Sequence, residues 1–218
     1  MPAATSLRVD VWAELYCPFC GLGDYRLRQA LANFPHRAAV EVVHHSFQLD
    51  PGLPEDRVLA GVEYLRDAKG MDPDLIERAN RDLERTAAAE GLAPYHVFDN
   101  VVGNTRLAHE FLAYATARGR NAAAWQALFD AYFGRRAPVF AIDDLLPVAA
   151  ALDFDTEDVR AALRSGHYDG PVQEDRRAAA ALGIQGVPFF VFDGRYAVVG
   201  AQPAAQLGAV LERAWTGQ

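Results

Sequence analysis

The N-terminal part of the chain carries a strand–helix–strand pattern, which strongly limits the folds that it can adopt. Residues Leu7–Leu15 alternate apolar and polar side chains, as a half-buried strand does. Apolar residues then recur at helical spacing over 22–31, and Pro35 is expected to end this helix. Ala39–Leu49 is again typical of a strand. This order predicts two parallel strands joined by a crossover helix.

The middle of the chain predicts helices separated by breakers. The predicted helices are 56–69, 73–90, 105–118, 121–134, 142–152 and 156–165. Asp72, Asn104 and Thr156 stand where N-cap residues are expected, because their side chains accept hydrogen bonds from the first turn of a helix. This part of the chain therefore predicts an all-helical domain.

The C-terminal part returns to strands. A predicted helix over Val172–Ile184 leads to two short apolar runs on either side of Asp193-Gly194. This dipeptide favours a type I′ hairpin, because both central positions of that turn need a positive φ. A last helix is expected to begin at Pro203. The whole pattern predicts an α/β protein in which a small mixed sheet covered by helices, residues 1–53 and 166–218, is interrupted by a helical domain, residues 54–165.

Charge and hydropathy argue against several classes of function. The chain has 29 acidic and 21 basic residues, a net charge of −8, and its arginines are scattered among acids, as in RDLER at 81–85. A phosphate-binding surface needs clustered positive charge, so nucleic acid is not an expected partner. No apolar run approaches the ~20 residues of a membrane-spanning helix. The N-terminus shows no basic segment followed by an apolar one, so we expect no signal peptide and a cytoplasmic protein.

Both cysteines of the chain, Cys17 and Cys20, lie in the sequence CPFC between the first strand and its helix. A structural disulfide across so short a loop would add little stability, because loop-closure stabilisation is smallest for short loops. A structural zinc site needs four ligands, usually with a second CxxC or a CxxH pair, which this chain lacks. The adjacent His44 and His45 lie on a predicted strand and would point to opposite faces. No metal or other cofactor is therefore expected.

A redox-active dithiol fits this position better. Cys17 would stand at the N-terminus of the helix, where unsatisfied N–H groups and the helix dipole favour a thiolate. Lowering a thiol pKa of about 8.5 by about two pH units makes the thiolate the major form at neutral pH. Cys20 follows one turn along the same face, within reach of Cys17. Cys17 is therefore the predicted exposed nucleophile and Cys20 the predicted resolving thiol.

A second feature precedes the C-terminal hairpin, where Gly186-Val187-Pro188 leads into the run FFVF. The first position of a strand tolerates proline, which is a sufficient structural explanation for Pro188. Composition alone does not establish a cis bond before this residue. From the residues alone, Pro188 marks either the start of a strand or part of a site.

Taken together, these motifs resemble the DsbA family of thioredoxin-fold oxidoreductases, and within it the cytoplasmic FrnE-like branch. The resemblance rests on CPFC, on SFQLDP at 46–51, on NTRLAHEFLAYA at 104–115 and on GIQGVPFFVFDGRYAVVGAQP at 183–203. It implies an α/β thioredoxin-like fold with an inserted all-helical domain. It also implies a cis bond between Val187 and Pro188, beside the cysteines. Val187 would pair through its backbone with an extended substrate segment, and Phe19, between the cysteines, would be a further substrate contact.

The family match draws attention to two residues of the helical domain. His109 either faces the dithiol across a cleft between the domains or is a packed or capping histidine. Asn104 is either a further site residue or, more simply, a helix cap.

The sequence around the cysteines differs from the family pattern at two positions. The relatives often carry CPWCY followed by Gly-Lys, whereas this chain reads CPFCGLGD, with Gly21 in place of a large side chain and Asp24 where lysine is common. A carboxylate at Asp24 and another at Glu14 would oppose thiolate formation. The sequence therefore does not favour a strong oxidant.

Three functions are open to such a chain. The favoured one is a thiol–disulfide oxidoreductase that acts on protein or low-molecular-weight thiols and disulfides. The hydroxychromene carboxylate isomerases and kappa-class glutathione transferases are related, but they commonly carry serine at the first cysteine position, and this chain keeps both cysteines. The third is a non-catalytic binding or holdase module, which would keep its activity when both cysteines are replaced by serine.

Overall fold

The computed structural model describes residues 6–217 and places them in two compact units. The first unit contains the chain up to Leu49 and from Val172 onward, and the second spans Asp50–Pro171. The strands are β1 (Leu7–Ala13), β2 (Val40–Ser46), β3 (Leu59–Ala60), β4 (Val101–Val102), β5 (Phe189–Phe192) and β6 (Tyr196–Val199). The helices are α1 (Pro18–Ala32), α2 (Gly61–Lys69), α3 (Pro73–Ala89), α4 (Arg106–Thr116), α5 (Asn121–Phe129), α6 (Ile142–Ala151), α7 (Thr156–Ser165), α8 (Asp169–Ala181) and α9 (Ala204–Thr216).

The first unit is built on a four-stranded mixed sheet of order β2-β1-β5-β6. β1 and β2 are parallel, as the strand–helix–strand pattern predicted, and Val11 lies beside His44 in the register. β5 is antiparallel to both β1 and β6. The hairpin between β5 and β6 turns at Asp193 and Gly194, whose φ values of 51° and 63° are both positive, so the predicted turn chemistry is confirmed.

The two faces of this sheet bury very different amounts of apolar surface. On one face α1 and α9 pack on the sheet around a cluster of buried residues: Leu7, Val9, Val11, Leu27, Ala30, Phe34, Phe190, Phe192, Val198, Leu207, Leu211 and Ala214. On the other face a smaller cluster consists of Trp12, Ala179 of α8 and Ile184. Successive residues of a strand point to opposite faces, which is why Val11 and Trp12 belong to different clusters.

The second unit consists of α2 to α7 with one addition that the sequence did not indicate. β3 and β4 form a short antiparallel pair, with Leu59 opposite Val102. A strand of two residues is too short to show the alternation from which strands are predicted. The chain predicted as one helix over 121–134 is α-helical to Phe129 and continues as a π-helix over Asp130–Gly134.

The predicted helix caps of the second unit are partly correct. Asp72 caps α3 by accepting hydrogen bonds from the backbone N–H groups of Asp74 and Leu75. The cap of α7 is Asp155 rather than the expected Thr156, because the Asp155 carboxylate reaches the N–H groups of the first turn. Among the residues that the structure describes, no helix is long and apolar enough to cross a membrane.

Candidate active site

The topology of the first unit brings two distant parts of the sequence together at one end of the sheet. β1 ends at Ala13, directly before the segment that carries the cysteines. β5 runs antiparallel to β1 with Phe189 opposite Trp12, so the residues just before β5 lie alongside those just after β1. The sulfur atom of Cys17 lies 3.8 Å from the carbonyl oxygen of Val187 as a result.

Cys17 is the N-cap residue of α1, and Pro18 occupies the first helical position. Proline is tolerated there because the missing N–H would have no partner within the helix. The backbone N–H of Cys20 donates to the Cys17 carbonyl at 2.9 Å, which closes the first turn. The two thiols are free and lie one turn apart on α1. Cys17 is 7% exposed and Cys20 only 1%, so the predicted exposed nucleophile is the more accessible thiol but is itself buried by the turn around it.

The two thiols differ in acidity. The hydrogen bond from Cys20 lowers the pKa of Cys17, and the backbone N–H groups of Phe19 and Cys20 lower it further against the opposing effect of burial. Burial raises the pKa of Cys20 well above its usual value, and the neighbouring Cys17 sulfur raises it further. A thiolate at Cys17 beside a protonated Cys20 is the arrangement that a nucleophile and a resolving thiol require.

Glu14 is fully buried beside this pair. Its two carboxylate oxygens accept hydrogen bonds from the backbone N–H groups of Leu15, at 2.7 Å, and Leu49, at 3.0 Å. Its own N–H donates to the Cys20 sulfur at 3.4 Å. The negative charge of Glu14 raises the pKa of both cysteines, as its position in the sequence indicated. Glu14 therefore limits how acidic Cys17 becomes.

The charge of Asp24, expected to oppose thiolate formation, is not among the main influences on the pKa of either cysteine. Asp24 is buried, and its carboxylate lies 3.0 Å from Nε2 of His44 and accepts a hydrogen bond from Nε of Arg28 at 2.9 Å. Burial alone would raise the pKa of Asp24, but His44 and Arg28 outweigh it and lower the pKa below its usual value. The sequence did not show that β2 would place a histidine against this carboxylate.

The three residues predicted to contact substrate occupy distinct positions in the first unit. Phe19, between the cysteines, is 53% exposed. The Val187–Pro188 peptide bond is cis. Val187 is half-buried, with its carbonyl beside Cys17, and Pro188 is buried against α1. Their role in substrate binding remains a prediction.

His109 and Asn104 belong to the second unit. His109 is fully buried on α4 next to Trp125, with the ring centroids 5.7 Å apart. Asn104 accepts a hydrogen bond from the Arg106 N–H at 2.9 Å and donates to the carbonyl of Leu53 at 2.6 Å. The N-cap position of α4 is occupied by Thr105, so Asn104 lies one residue before the expected cap position, although its side chain still accepts a hydrogen bond from the first residue of the helix. A role for either residue in the chemistry remains a prediction.

Within residues 6–217, no group of three or more His, Cys, Asp or Glu side chains is arranged to hold a metal ion. His44 and His45 lie on opposite faces of the sheet, as predicted, because His44 contacts Asp24 of α1 and His45 contacts Asp175 of α8.

The family of the chain follows from its sequence as a whole. Residues 8–212 match the family model described as a DSBA-like thioredoxin domain. The chain belongs to this family. No curated protein matches it in sequence. The thioredoxin-like fold class with a helical insertion, expected from the resemblance, is thereby confirmed.

Solved structures of DsbA-type proteins resemble the chain over nearly its full length. A probable DsbA oxidoreductase from Streptomyces coelicolor is 41% identical with a TM-score of 0.91, and the match covers 97% of this chain and 91% of that one. The cytosolic disulfide reductase DsbM from Pseudomonas aeruginosa is 17% identical with a TM-score of 0.63, covering 97% and 100%. A 2-hydroxychromene-2-carboxylate isomerase is 21% identical with a TM-score of 0.69, covering 94% and 95%. The last two likenesses show the fold alone.

The sequence does not indicate the contacts of two groups of residues near the site. Gly23 and Arg26 of α1 contact the segments that flank β5 and β6, and a glycine within a helix gives no hint of its neighbours. Asp175 contacts His45 although 130 residues separate them. This pair can be predicted only when the packing of α8 against the sheet is known.

Proposed function

We propose that this protein is a thiol–disulfide oxidoreductase in which Cys17 is the nucleophile and Cys20 the resolving thiol. One observation carries the proposal: Cys17 is the N-cap residue of α1, next to a less exposed Cys20, and its thiol lies 3.8 Å from the Val187 carbonyl at the cis-proline turn. The lowered pKa of Cys17 and the raised pKa of Cys20 support the same division of roles. Membership in the DSBA-like family agrees with it.

The reaction proceeds in two exchanges that balance without a cofactor. The Cys17 thiolate attacks one sulfur of a substrate disulfide, forms a mixed disulfide and releases the other substrate sulfur as a thiolate, which takes up a proton from solvent. Cys20 then loses its proton and attacks the Cys17 sulfur, which forms the Cys17–Cys20 disulfide and releases the second substrate thiol. The substrate is reduced and the protein oxidised by two electrons. A thiol reductant restores the dithiol, and the reverse sequence oxidises a substrate dithiol.

The substrate class that we propose is a protein segment or a low-molecular-weight thiol or disulfide. The backbone of Val187 offers an extended segment a pairing site beside Cys17, and Phe19 offers an exposed apolar contact. A structure of DsbM from Pseudomonas aeruginosa, 16% identical to this chain, contains GSH. We also propose a cytoplasmic location, in which the thiols would be kept largely reduced.

The decisive measurement is the equilibrium reduction potential of the Cys17–Cys20 pair in defined thiol and disulfide buffers. A potential of about −120 to −180 mV indicates an oxidant or isomerase, and one near about −270 mV indicates a reductant. The charge of Glu14 acts toward the lower range because it disfavours the Cys17 thiolate, whereas the lowered pKa of Cys17 acts toward the higher range.

Two variants complete the test. Cys20→Ser should accumulate a mixed disulfide between Cys17 and the buffer thiol, and Cys17→Ser should form none. If the wild-type protein forms no intramolecular disulfide at any buffer ratio, the oxidoreductase proposal is wrong. An activity that survives in the double serine variant would then indicate a binding module, and isomerisation of a small substrate with added glutathione would indicate the isomerase class.

A further inference from the structure

Helix α1 approaches the Val187–Pro188 turn closely at one residue, Gly23. A Cβ atom placed on Gly23 would lie 2.9 Å from Cγ of Pro188 and 3.2 Å from Cζ of Phe190. Ordinary contacts of a Cβ atom begin at about 3.4 Å, so only glycine fits this position without movement. Pro188 is bonded to Val187, whose carbonyl lies against the Cys17 sulfur.

The same helix also holds the far side of the turn. The Pro188 carbonyl accepts a hydrogen bond from the N–H of Gly200 at 2.8 Å. The next residue, Ala201, is bonded through its carbonyl to the guanidinium of Arg26. Gly23 and Arg26 are three residues apart and therefore lie on one face of α1. α1 thus carries the dithiol at its N-terminus and contacts both the segment that contains Pro188 and the segment of Gly200 and Ala201 that is bonded to it.

We propose that Gly23 is a positioning residue that sets the distance between Cys17 and the Val187–Pro188 turn, with Arg26 fixing the turn from its other side. The inference rests on the proposed oxidoreductase function and deepens it, because it concerns the reach of Cys17 toward a substrate held on the Val187 backbone. Gly23 itself touches neither the substrate nor the reacting sulfur atoms.

A methyl group at Gly23 would displace the turn rather than a flexible side chain. The Pro188 ring is closed onto the backbone, and Phe190 is fully buried in the apolar cluster under α1 and α9. Neither of these side chains can move aside as the end of a long, flexible side chain could. The turn, or α1 with its cysteines, must therefore shift by several tenths of an ångström, and the separation of the Cys17 sulfur and the Val187 carbonyl changes with it.

This displacement should affect only those substrates that use the turn. A peptide disulfide has to place its sulfur at Cys17 while its backbone lies along Val187. A small aromatic disulfide needs only the Cys17 thiolate. A misplacement of about 1 Å between such groups can slow a positioned reaction by about 100-fold, so a smaller shift should still be measurable.

The test compares wild type with Gly23→Ala on two disulfides that have the same leaving group. One is DTNB, and the other is a short peptide whose single cysteine carries the same nitrothiobenzoate group. We expect the second-order rate constant of the reduced protein for the peptide to fall by about 10-fold or more, and that for DTNB to change by less than about 2-fold. Gly208→Ala is the matched control, because a Cβ there meets nothing within 4 Å and the residue also lies in a helix of the first unit.

Each other outcome overturns the inference. If Gly23→Ala slows both disulfides equally, Gly23 acts on the dithiol or on folding, and if it slows neither, the turn is not held by this contact. If Gly23→Ala does not fold by circular dichroism, Arg26→Met decides by the same criterion, since it removes the bond to Ala201 and leaves Gly23 intact. A wild-type protein that reacts with neither disulfide overturns the proposed function and this inference together.

Discussion

The two faces of the sheet in the first unit are held by different forces. The face under α1 and α9 buries a large apolar cluster that includes Phe190 and Leu211. The face under α8 has three buried apolar residues and, beside them, a charged network centred on His45. Apolar burial contributes at every pH, whereas an ionic network contributes only while its groups are charged.

The network on the α8 face has a defined geometry. Nε2 of His45 lies 2.7 Å from Asp10, and Nδ1 lies 2.7 Å from Asp175. Only the protonated imidazole can donate from both nitrogens. The ring of His45 stacks on Trp12 with centroids 4.5 Å apart. Burial alone would lower the pKa of His45, but the bonds with Asp10 and Asp175 outweigh it and raise the pKa to about 9. On this face a small apolar contact area is supplemented by charge, at the cost of pH sensitivity.

The largest effect is expected on the apolar face. Replacing the fully buried Leu211 of α9 by alanine removes apolar contacts and leaves a cavity, which should lower the free energy of unfolding by about 2–5 kcal/mol. The loss should be the same at pH 7 and pH 10, because no titrating group is removed. Urea denaturation at both pH values measures it. A loss that varied strongly with pH would mean that the two faces are not independent.

The second largest effect is expected on replacing His45, whose contribution to stability depends on pH. A pKa of about 9 against the ordinary 6.5 makes the charged network stabilise the fold by about 2–3 kcal/mol at pH 7. Because the pKa is raised in the folded state, this stability is complete below pH 6.5 and is lost as the pH rises through about 9. His45→Gln should therefore destabilise the protein at pH 7 and have little effect at pH 10. An equal cost at both pH values would contradict a charged His45.

On the apolar face, Asp24 makes the free energy of unfolding depend on pH in the opposite direction and by a smaller amount. Its lowered pKa means that its charge stabilises the fold above its usual pKa of about 3.8, and that this contribution is lost as the pH falls through the lower folded value. Asp24→Asn should cost about 1–3 kcal/mol at neutral pH, and this cost should shrink as the pH falls below about 3.8. The pKa of Asp10, on the face under α8, is also lowered. Acid therefore destabilises both faces, whereas a rise in pH destabilises only the face with the His45 network. Acid and alkaline urea titrations of the variant and wild type would show this.

The smallest expected effect is a gain. Gly208→Ala in α9 adds a Cβ in open space and improves helix propensity, which should raise the free energy of unfolding by about 0.5–1 kcal/mol. The gain should not depend on pH. A loss instead would show that α9 sits more tightly on the sheet than the contacts of Leu211 indicate. Thermal unfolding of the variant beside wild type is sufficient to detect the change.

The elements with strong local signals could be predicted from the sequence. The alternation in Leu7–Leu15, the Asp193-Gly194 turn and the Asp72 cap each depend on neighbouring residues, and the structure contains all three features. The Cys17–Cys20 pair was identified for the same reason, since its spacing and its place before a helix are local.

The remaining features depend on contacts between distant segments. The pairing of His44 with Asp24, the network of His45 with Asp175, and the approach of Gly23 to Pro188 each join residues from different elements. The β3–β4 pair is formed by segments too short to show alternation. No pattern within a window of the sequence contains this information, because it arises only when helices are docked on the sheet.

The placement of Cys17, Gly23 and Arg26 on one helix suggests a rule for engineering. The segment 17–26 contains both thiols as well as Gly23 and Arg26, which contact the segments around Pro188. Grafting only the CPFC tetrapeptide into a relative would transfer the thiols but leave the recipient's own turn geometry in place. Grafting the whole segment would transfer the thiols together with the residues that contact the turn. Comparing the two chimaeras would show how much of the activity depends on the acidity of Cys17 and how much on its distance from the Val187–Pro188 turn.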